Sequence, residues 1–510
     1  MQHTTGSPHP THARRRISVC VACLFLALSG CVQPRPLQAT YTPQPVEDLP
    51  LPVTTLEPTL PVFTPDAVPT LSPAPTDVAA ALPPAGLQYR FLVALDYAGH
   101  TAAVTQGIRY TNDTGETLDT LPLLVEPNRR WGAFRLIELL DGQQQPIPSY
   151  RLEDALLSVP LEPALVPGET RDFFLTYELH PPEDDSWFAY TRRQFNLADW
   201  YPMLPPYLPD KGWIIKNPGT VGEHLAYAIA DYSVEITLVG DTDVVLAASA
   251  PAEQTGDGFH YELRAGRNFA ISASPDYVRL EAQAGQVQVY GYVYPEHQAS
   301  GAEALRATAD ALQLYSELFS PYPHASISFV EADFPDGMEH QGLYWLTQFY
   351  FEHYTGTQAS YLTTLAVHET AHQWWYGIVG NNQALEPWLD EALCTYTEQL
   401  YYEKRYPALV DWWWDYRVNT FLPTGYVNST IYDHKDYRPY VNAVYLRGAQ
   451  FLRDLRRTVG DEAFFAFLQA YPQRYHGQIA SGEDFFTLLH QFSPADLQPL
   501  RDEYFWTASE

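Results

Sequence analysis

The chain carries one stretch that is dense in chemically informative residues, and it reads Val367-His368-Glu369-Thr370-Ala371-His372-Gln373-Trp374-Trp375. On an α-helix, residues four apart lie on one face, so His368 and His372 would aim two imidazole nitrogens at one point. Two neutral imidazoles suit a zinc ion, and the carboxylate of Glu369 beside them suits a general base. The apolar spacing of residues 361–367 predicts the helix that carries this pattern, with Gly377 as its end.

A tetrahedral zinc site needs a third protein ligand, and Glu391 is the candidate. It is separated from His372 by eighteen residues, which include the turn signals Gly380-Asn381-Asn382 and Pro387. An antiparallel return of a second helix would bring Glu391 back to the two histidines. A chance match is the alternative for His-Glu-x-x-His alone, in a chain with 16 histidines. The presence of Glu391 favours the zinc site.

The complete pattern, with Glu391 inside Trp-Leu-x-Glu, resembles the gluzincin metallopeptidases, specifically the aminopeptidase N and leukotriene hydrolase family. The match extends through His372-Gln373-Trp374, where that family usually has His-Gln-Trp. The resemblance implies one zinc ion per chain, held by His368, His372 and Glu391, and peptide substrates. It also implies the fold, which is an N-terminal β-rich, saddle-like domain followed by a thermolysin-like α+β, mostly helical, catalytic domain.

Length and charge limit the other possibilities. The chain has 510 residues, which is enough for two or three domains, and its formal net charge is −31. So much negative charge argues against a nucleic-acid partner, because phosphates would be repelled. Four cysteines are present, and we expect no disulfide framework, with Cys394 as a small buried residue.

The N-terminus has the layout of an export signal. Arg14-Arg15-Arg16 precede an apolar run and then Leu28-Ser29-Gly30-Cys31, which resembles a bacterial lipobox. The resemblance implies a lipoprotein signal peptide over residues 1–30, lipid attached to Cys31 and a location in the cell envelope, outside the cytoplasm and anchored to a membrane. An ordinary secretory signal with an incidental cysteine is the alternative. Residues 31–86 are rich in proline and threonine, which predicts a disordered tether.

The rest of the chain divides where its hydrophobic period changes. Residues 87–295 contain alternating stretches such as 171–177 and 232–238, which predict a β-rich N-terminal domain. Residues 296–510 show helical spacing and would form the zinc peptidase domain. The family resemblance adds Gln194, in the first of these domains, as a candidate ligand for a substrate amine.

A second family motif lies at Gly337, Met338 and Glu339, where the family carries Gly-x-Met-Glu-Asn. Asp336 and His340 depart from that pattern. The resemblance implies that Gly337, Met338 and Glu339 bind the substrate, with Glu339 on the free α-ammonium group of a peptide, which would make the enzyme an aminopeptidase. A fixed carboxylate near the metal would attract a cationic terminus and repel a peptide carboxylate. A strand-edge turn with no ligand is the alternative.

A third motif lies at Tyr445, where the family has Tyr-Glu-Lys-Gly and this chain has Tyr-Leu-Arg-Gly. The resemblance makes the Tyr445 hydroxyl a hydrogen-bond donor to the oxyanion of the transition state. A buried tyrosine bonded to the backbone is the alternative.

The prediction from the sequence is therefore a zinc-dependent peptidase, most simply an aminopeptidase. Two alternatives stay open. One is an endopeptidase or a glycyl-aminopeptidase-like gluzincin, and the other is a surface binding protein with the same fold and no turnover.

Overall fold

The computed structural model describes residues 82–83, 85–240, 243–256, 258–335 and 337–506, which all fall in one compact unit. The signal peptide, Cys31, nearly all of the tether and Asp336 lie outside the described residues. The predictions made for them therefore stay predictions.

Strands dominate the first half of the described chain. Their bounds are β1 Leu87–Asp96, β2 Thr101–Thr111, β3 Leu118–Leu124, β4 Phe134–Asp141, β5 Arg151–Glu153, β6 Leu156–Leu165, β7 Thr170–Leu179, β8 Phe188–Tyr190, β9 Phe195–Leu197, β10 Tyr207–Leu208, β11 Gly212–Trp213, β12 Ala230–Leu238, β13 Val245–Ala248, β14 Ala252–Thr255, β15 Gly258–Gly266, β16 Ile271–Ser274, β17 Val278–Ala284, β18 Val287–Val293, β19 Ser326–Ala332, β20 Gly337–His340 and β21 Leu343–Thr347.

Helices follow from residue 298. Their bounds are α1 Gln298–Leu318, α2 Gln348–Glu352, α3 Tyr361–Ala371, α4 Trp388–Arg405, α5 Val410–Trp413, α6 Tyr437–Val441, α7 Arg447–Val459, α8 Asp461–Arg474, α9 Gly482–Leu489 and α10 Gln498–Tyr504. A π-helical turn over Asn442–Leu446 leads into α7. Within the described residues, none of the helices combines the length and the apolar character that crossing a membrane requires.

The largest sheet of the β-rich half has the order β14-β15-β12-β1-β2-β7-β4. Strand β1 alternates buried and half-buried positions along its whole length, because successive side chains of a strand point to opposite faces. Its buried residues pack with the aromatic side chains of Trp200, Tyr201 and Tyr232 in one apolar core. The alternation read from residues 171–177 and 232–238 corresponds to β7 and β12.

A second sheet, with the order β17-β18-β19-β21-β20, brings strands and helices together. Two of its strands, β17 and β18, precede residue 296, so this sheet contains residues from both sides of the sequence-predicted domain boundary. Strand β20 pairs antiparallel with β21 and lies at the edge of the sheet, against α3. Helix α3 contacts both β20 and β21, so the Gly337–His340 strand lies beside the helix that carries the histidines.

Helices α3 and α4 are held in a core that is rich in aromatic residues. Ser360 caps α3 by accepting a hydrogen bond from the Thr363 N–H group at 3.2 Å. The helix is followed by Trp374 and Trp375, which are fully buried, and α4 begins with the buried Trp388. Large buried aromatic side chains fix the two helices firmly against each other.

Candidate metal centre

Three side chains from α3 and α4 converge on one point. The Nε2 atoms of His368 and His372 lie 3.2 Å apart. The Oε2 atom of Glu391 lies 3.2 Å from the first of these nitrogens and 3.6 Å from the second. Helix α3 ends at Ala371, but His372 keeps helical backbone angles, so the four-residue spacing still places both rings on one side.

These separations fit a zinc ion. Ligand atoms at ~2.0–2.1 Å from a tetrahedrally coordinated zinc ion lie about 3.3–3.4 Å from one another. The three observed separations fall around that value, and all three residues are at least 96% buried. Two imidazoles and one carboxylate form the donor set of a catalytic zinc site, which keeps its fourth position for water or substrate. The sequence prediction of a single zinc site held by these residues agrees with the geometry.

The two histidine rings are oriented by hydrogen-bond partners of their Nδ1 atoms. Nδ1 of His368 lies 2.8 Å from Oε1 of Glu398. The Glu398 carboxylate accepts hydrogen bonds from Arg417 at 2.9 and 3.0 Å and from the indole of Trp413 at 2.9 Å. Such a carboxylate behind a metal-ligating histidine fixes the ring orientation and makes the ring a better donor. Nδ1 of His372 lies 3.2 Å from the carbonyl oxygen of Trp375.

The electrostatics of the ligands follow from burial and from these neighbours. Burial lowers the pKa of His372 to about 4, which keeps the imidazole neutral. Burial also acts to lower the pKa of His368, but Glu391 and Glu398 outweigh it and raise that pKa to about 10. The two carboxylates thus stabilise positive charge at this ring, and a zinc ion would take the place of the proton. Burial acts to raise the pKa of Glu391, whereas His368 and His372 outweigh this effect and lower it.

Tyr445 lies in the π-helical turn before α7, directly beside the ligands. Its hydroxyl donates a hydrogen bond to Oε1 of Glu391 at 2.6 Å. Burial, and then the negative charge of Glu391, raise the pKa of this phenol well above its ordinary value. The hydroxyl therefore keeps its proton and can act as a hydrogen-bond donor.

Glu369 lies on the side of the centre that faces β20. One carboxylate oxygen each of Glu369 and Glu339 and one ring nitrogen of His372 lie within 4.8 Å of one another. The lack of a side chain at Gly337 makes space for the Glu369 carboxylate, because a Cβ atom on that glycine would lie 2.2 Å from Oε1 of Glu369. The predicted general base is thus adjacent to the predicted ligands.

Glu339 projects from β20 into an acidic pocket next to the centre. One carboxylate oxygen each of Glu339, Glu223 and Glu391 lie within 4.8 Å of one another. Gln383 donates from its amide nitrogen to Oε1 of Glu339 at 3.0 Å and to Oδ2 of Asp390 at 3.1 Å. Burial, and then the charges of neighbouring carboxylates, raise the pKa of Glu339 well above its ordinary value. A cation in this pocket would relieve that repulsion.

The strand geometry separates the other residues of the second motif. Gly337 and Glu339 share one face of β20, whereas Met338 packs on the other face, in an apolar cluster that includes Trp345. His340 lies on that second face too, with Nε2 3.7 Å from Oδ1 of Asp199. The side chain of His340, which departs from the family motif, therefore points away from the face that carries Glu339.

Gln194 is placed differently from the expectation. It is fully buried, and its amide nitrogen donates to the Tyr277 hydroxyl at 2.7 Å and to the Glu331 carbonyl oxygen. Its amide oxygen accepts from the Asp333 N–H group at 3.0 Å and from Asn196 at 3.3 Å. All four hydrogen-bonding positions of the amide are in use, so the structure leaves none for a substrate amine.

Sequence reasoning missed several residues around the centre. Glu398 follows Glu391 by seven residues, two helical turns along the same face of α4, and this spacing was the signal that could have found it. Glu223 comes from the long connection between β11 and β12, and Gln383 from the loop between α3 and α4. Neither of these two residues lies in a motif that marks it in the sequence.

Comparison with known proteins agrees with this geometry. Residues 303–504 match the model of the Peptidase family M1 domain. That segment contains α3, α4, β20 and the turn with Tyr445. It therefore includes all of the predicted ligands, Glu369, Glu339 and Tyr445.

Individual relatives cover a smaller share of the chain. Aminopeptidase M1-D of Oryza sativa subsp. japonica is 26% identical over 255 residues, which are 46% of this chain and 28% of that protein. Aminopeptidase O of Mus musculus is 26% identical over 208 residues, which are 34% of this chain and 24% of that protein. The chain thus spans about a quarter of the length of these relatives.

Solved structures show the fold over most of the chain. The crystal structure of M1 zinc metallopeptidase from Deinococcus radiodurans superposes with a TM-score of 0.58 at 20% identity, covering 84% of this chain and 95% of that one. A mutant of the same enzyme bound to a Tyr-Ser-Ala substrate superposes with a TM-score of 0.57 at 19% identity, covering 82% of this chain and 94% of that one. The predicted fold class, a β-rich domain followed by a mostly helical α+β domain, is confirmed.

Proposed function

We propose that this protein is a zinc-dependent peptidase that releases N-terminal residues from peptides. One observation carries the proposal: the ligand set of His368, His372 and Glu391 lies beside a carboxylate that can act as a base and a second carboxylate that can bind an amine. Oxygens of Glu369 and Glu339 lie within 4.8 Å of each other and of a His372 ring nitrogen. The match to the M1 domain supports the same chemistry.

A zinc ion bound by the three ligands would act as a Lewis acid on the scissile carbonyl group and lower the pKa of a water molecule. Glu369 accepts the proton of the attacking water and passes it to the leaving amine. Tyr445, whose raised pKa keeps its hydroxyl protonated, would turn its one O–H group from Oε1 of Glu391 to the carbonyl oxygen as negative charge develops there. Glu398, through Nδ1 of His368, keeps that ligand in its orientation.

Glu339 makes the proposed reaction an exopeptidase reaction. The positive charge of an α-ammonium group would offset the repulsion among the carboxylates of this acidic pocket. A peptide without a free amino terminus brings no such charge. The relatives named aminopeptidases, and the neighbouring structure with a bound tripeptide, support peptides as the substrate class. The experiment separates this function from an endopeptidase and from a binding protein without turnover. A glycyl-aminopeptidase-like activity would also require the free terminus, and differs only in the first residue that it accepts.

The experiment compares one peptide with a free amino terminus and its N-acetylated form. Glu339→Ala should lower kcat/KM about 10²-fold on the free peptide, because a charge-assisted contact is lost. It should change little on the acetylated peptide, which never makes that contact. Tyr445→Phe is the matched control, since an oxyanion donor serves both peptides and its loss should slow both alike.

Three results would reject the proposal or redirect it. A wild type that prefers the acetylated peptide, or a Glu339→Ala variant that is equally impaired on both peptides, favours an endopeptidase. A purified zinc-loaded protein that cleaves neither peptide favours the binding protein.

The location of the protein is a second part of the proposal. We propose export and lipid attachment at Cys31, with the folded part outside the cytoplasm on a membrane. The support is the sequence alone: basic residues, an apolar run and Leu-Ser-Gly-Cys in the order of a lipoprotein signal. Pro-rich sequences such as the one after Cys31 form extended spacers, which would hold the folded part away from the membrane anchor.

A further inference from the structure

Arg267, which follows the last residue of β15, is buried in an unusual way. Only 2% of its surface is exposed, and among the described residues no carboxylate forms an ion pair with it. Its guanidinium group donates instead to five backbone carbonyl groups. The acceptors are Tyr376 at 3.0 Å, Gly377 at 3.1 Å, Tyr227 at 2.9 Å, Ile378 at 3.2 Å and Gln478 at 2.8 Å.

These carbonyl groups belong to segments that are far apart in sequence. Tyr376–Ile378 follow the ligand His372, Tyr227 lies on the connection that also carries Glu223, and Gln478 follows α8. Only the rigid five-donor fork of arginine can reach so many acceptors at once. Gly380 accommodates the fork, because a Cβ atom there would lie 2.7 Å from the Arg267 Cζ atom.

The next residue, Asn268, reaches both sides of the active centre. Its amide nitrogen donates to the Tyr376 hydroxyl at 2.6 Å, and its amide oxygen accepts from the Gln341 N–H group at 2.9 Å. Gln341 is two residues after Glu339 in the turn that joins β20 to β21. Asn268 is therefore a bridge between the strand of Glu339 and the segment after His372.

Tyr376 is held in a strained backbone conformation by this pair of residues. Its φ angle is +134°, in the region that favours glycine. Strain of this kind persists only where the surroundings hold the residue on several sides. Here Arg267 holds the carbonyl group and Asn268 the hydroxyl, and the next residue, Gly377, donates its N–H to the carbonyl oxygen of His372 at 2.8 Å.

We infer that Arg267 and Asn268 are positioning residues that set the spacing between the Glu339 carboxylate and the metal ligands. In an exopeptidase this spacing must match the distance from the α-ammonium group of a peptide to its first scissile bond. The pair comes from the β-rich half, so that half sets where the peptide terminus is held. The inference rests on the proposed function, because it concerns the amine pocket of that reaction.

The test is the ratio of kcat/KM for a free peptide to kcat/KM for its N-acetylated form. Asn268→Ala should retain zinc and lower this ratio about tenfold, chiefly by raising KM for the free peptide, because small misplacements of a binding group are costly. The variant should fold, since Gln373 also holds the β20–β21 turn through bonds to His340 O at 3.0 Å and Gly342 N at 2.9 Å.

Asn112→Ala is the matched control. Asn112 is equally buried, and its side chain makes hydrogen bonds within the β-rich half, to Glu116 O at 2.7 Å and Leu165 O at 2.9 Å. A loss of stability alone should therefore occur in this variant with no change in the ratio. Tyr376→Phe breaks the same contact as Asn268→Ala, so it should reproduce the fall, and the double variant should be no worse than Asn268→Ala alone.

An unchanged ratio in Asn268→Ala and Tyr376→Phe, with a wild type that prefers the free peptide, overturns the inference and leaves the proposed function in place. A partial loss of zinc in Asn268→Ala, with an unchanged ratio in the activity that remains, also overturns it. If Asn268→Ala does not fold, the inference stands or falls on the ratio measured for Tyr376→Phe. A wild type with no preference for the free peptide rejects the proposed aminopeptidase function itself.

Discussion

At the scale of single residues, the position of the proposed base depends on a close contact with a glycine. That glycine is Gly337, where a Cβ atom would lie 2.2 Å from Oε1 and 2.8 Å from Cδ of Glu369. Glu369 is the proposed base, and its carboxylate is the flexible end of a side chain. A methyl group at residue 337 would therefore move the base rather than disrupt the core.

We expect Gly337→Ala to retain zinc and to unfold at nearly the same temperature as the wild type. Its kcat should fall about 10²-fold, since displacing a catalytic group by about 1 Å has an effect of that size. The measurements are zinc content, thermal unfolding and kcat on one peptide. Gly142→Ala is the control, because a Cβ atom there meets its neighbours only at 3.5 Å or more. Full activity in Gly337→Ala would contradict the position assigned to Glu369.

The sequence predicted the residues whose geometry is local. His368 and His372 are four residues apart, and helix geometry alone places both on one side. To place Glu391 beside them, the prediction needed only one turn followed by an antiparallel second helix. Arg267 and Asn268 could not be predicted in this way, because their partners lie 40 to 211 residues away and are reached only through tertiary packing.

At the scale of elements, α4 contributes both a proposed metal ligand and the group that would support another ligand. Glu391 lies in its first turn and Glu398 two turns later, where it contacts His368 and is held by Arg417. The helical period predicts this alignment, but the role of Glu398 depends on α5 and the turn that follows it, which carry Trp413 and Arg417. The π-helical turn at Asn442–Leu446 was not predicted either, because its sequence reads as ordinary helix.

Glu398→Gln tests the supporting role of α4. The amide keeps the shape but loses the charge that faces His368, so the affinity for zinc should fall about 10- to 100-fold. The measurement is competition for zinc with a chelator of known affinity. Glu403→Gln is the control, since Glu403 lies on the same helix and pairs with Arg456 at 2.6 Å, away from the ligands. Equal zinc affinities for both variants would mean that Glu398 does not support the ligand.

At the scale of the whole molecule, the β-rich half adds residues to a centre whose proposed ligands lie in the helical half. It supplies Glu223 to the acidic pocket and Arg267 and Asn268 to the loops behind it. The change of hydrophobic period predicted the two halves from sequence. It could not predict the sheet that joins β17 and β18 to β19, because strand pairing between distant segments has no local signal.

The proposed anchor also belongs to this scale. Cys31→Ser should abolish incorporation of a labelled fatty acid, because the acceptor sulfur is gone, and the protein should leave the membrane fraction or stay unprocessed. Labelling of whole cells followed by fractionation measures both effects. Cys394→Ser is the control, since Cys394 is buried on α4. A mature wild-type N-terminus far from Cys31 would contradict the lipoprotein prediction.

The central claim is that His368, His372 and Glu391 hold zinc while Glu369 performs the proton transfer, and one measurement tests it most directly. Zinc content and peptide hydrolysis are determined together for the wild type, Glu369→Gln and His372→Ala. We predict one zinc ion per chain in the wild type, retained zinc with nearly all activity lost in Glu369→Gln, and loss of both in His372→Ala. A wild type without zinc, or a Glu369→Gln variant with normal turnover, would contradict the account.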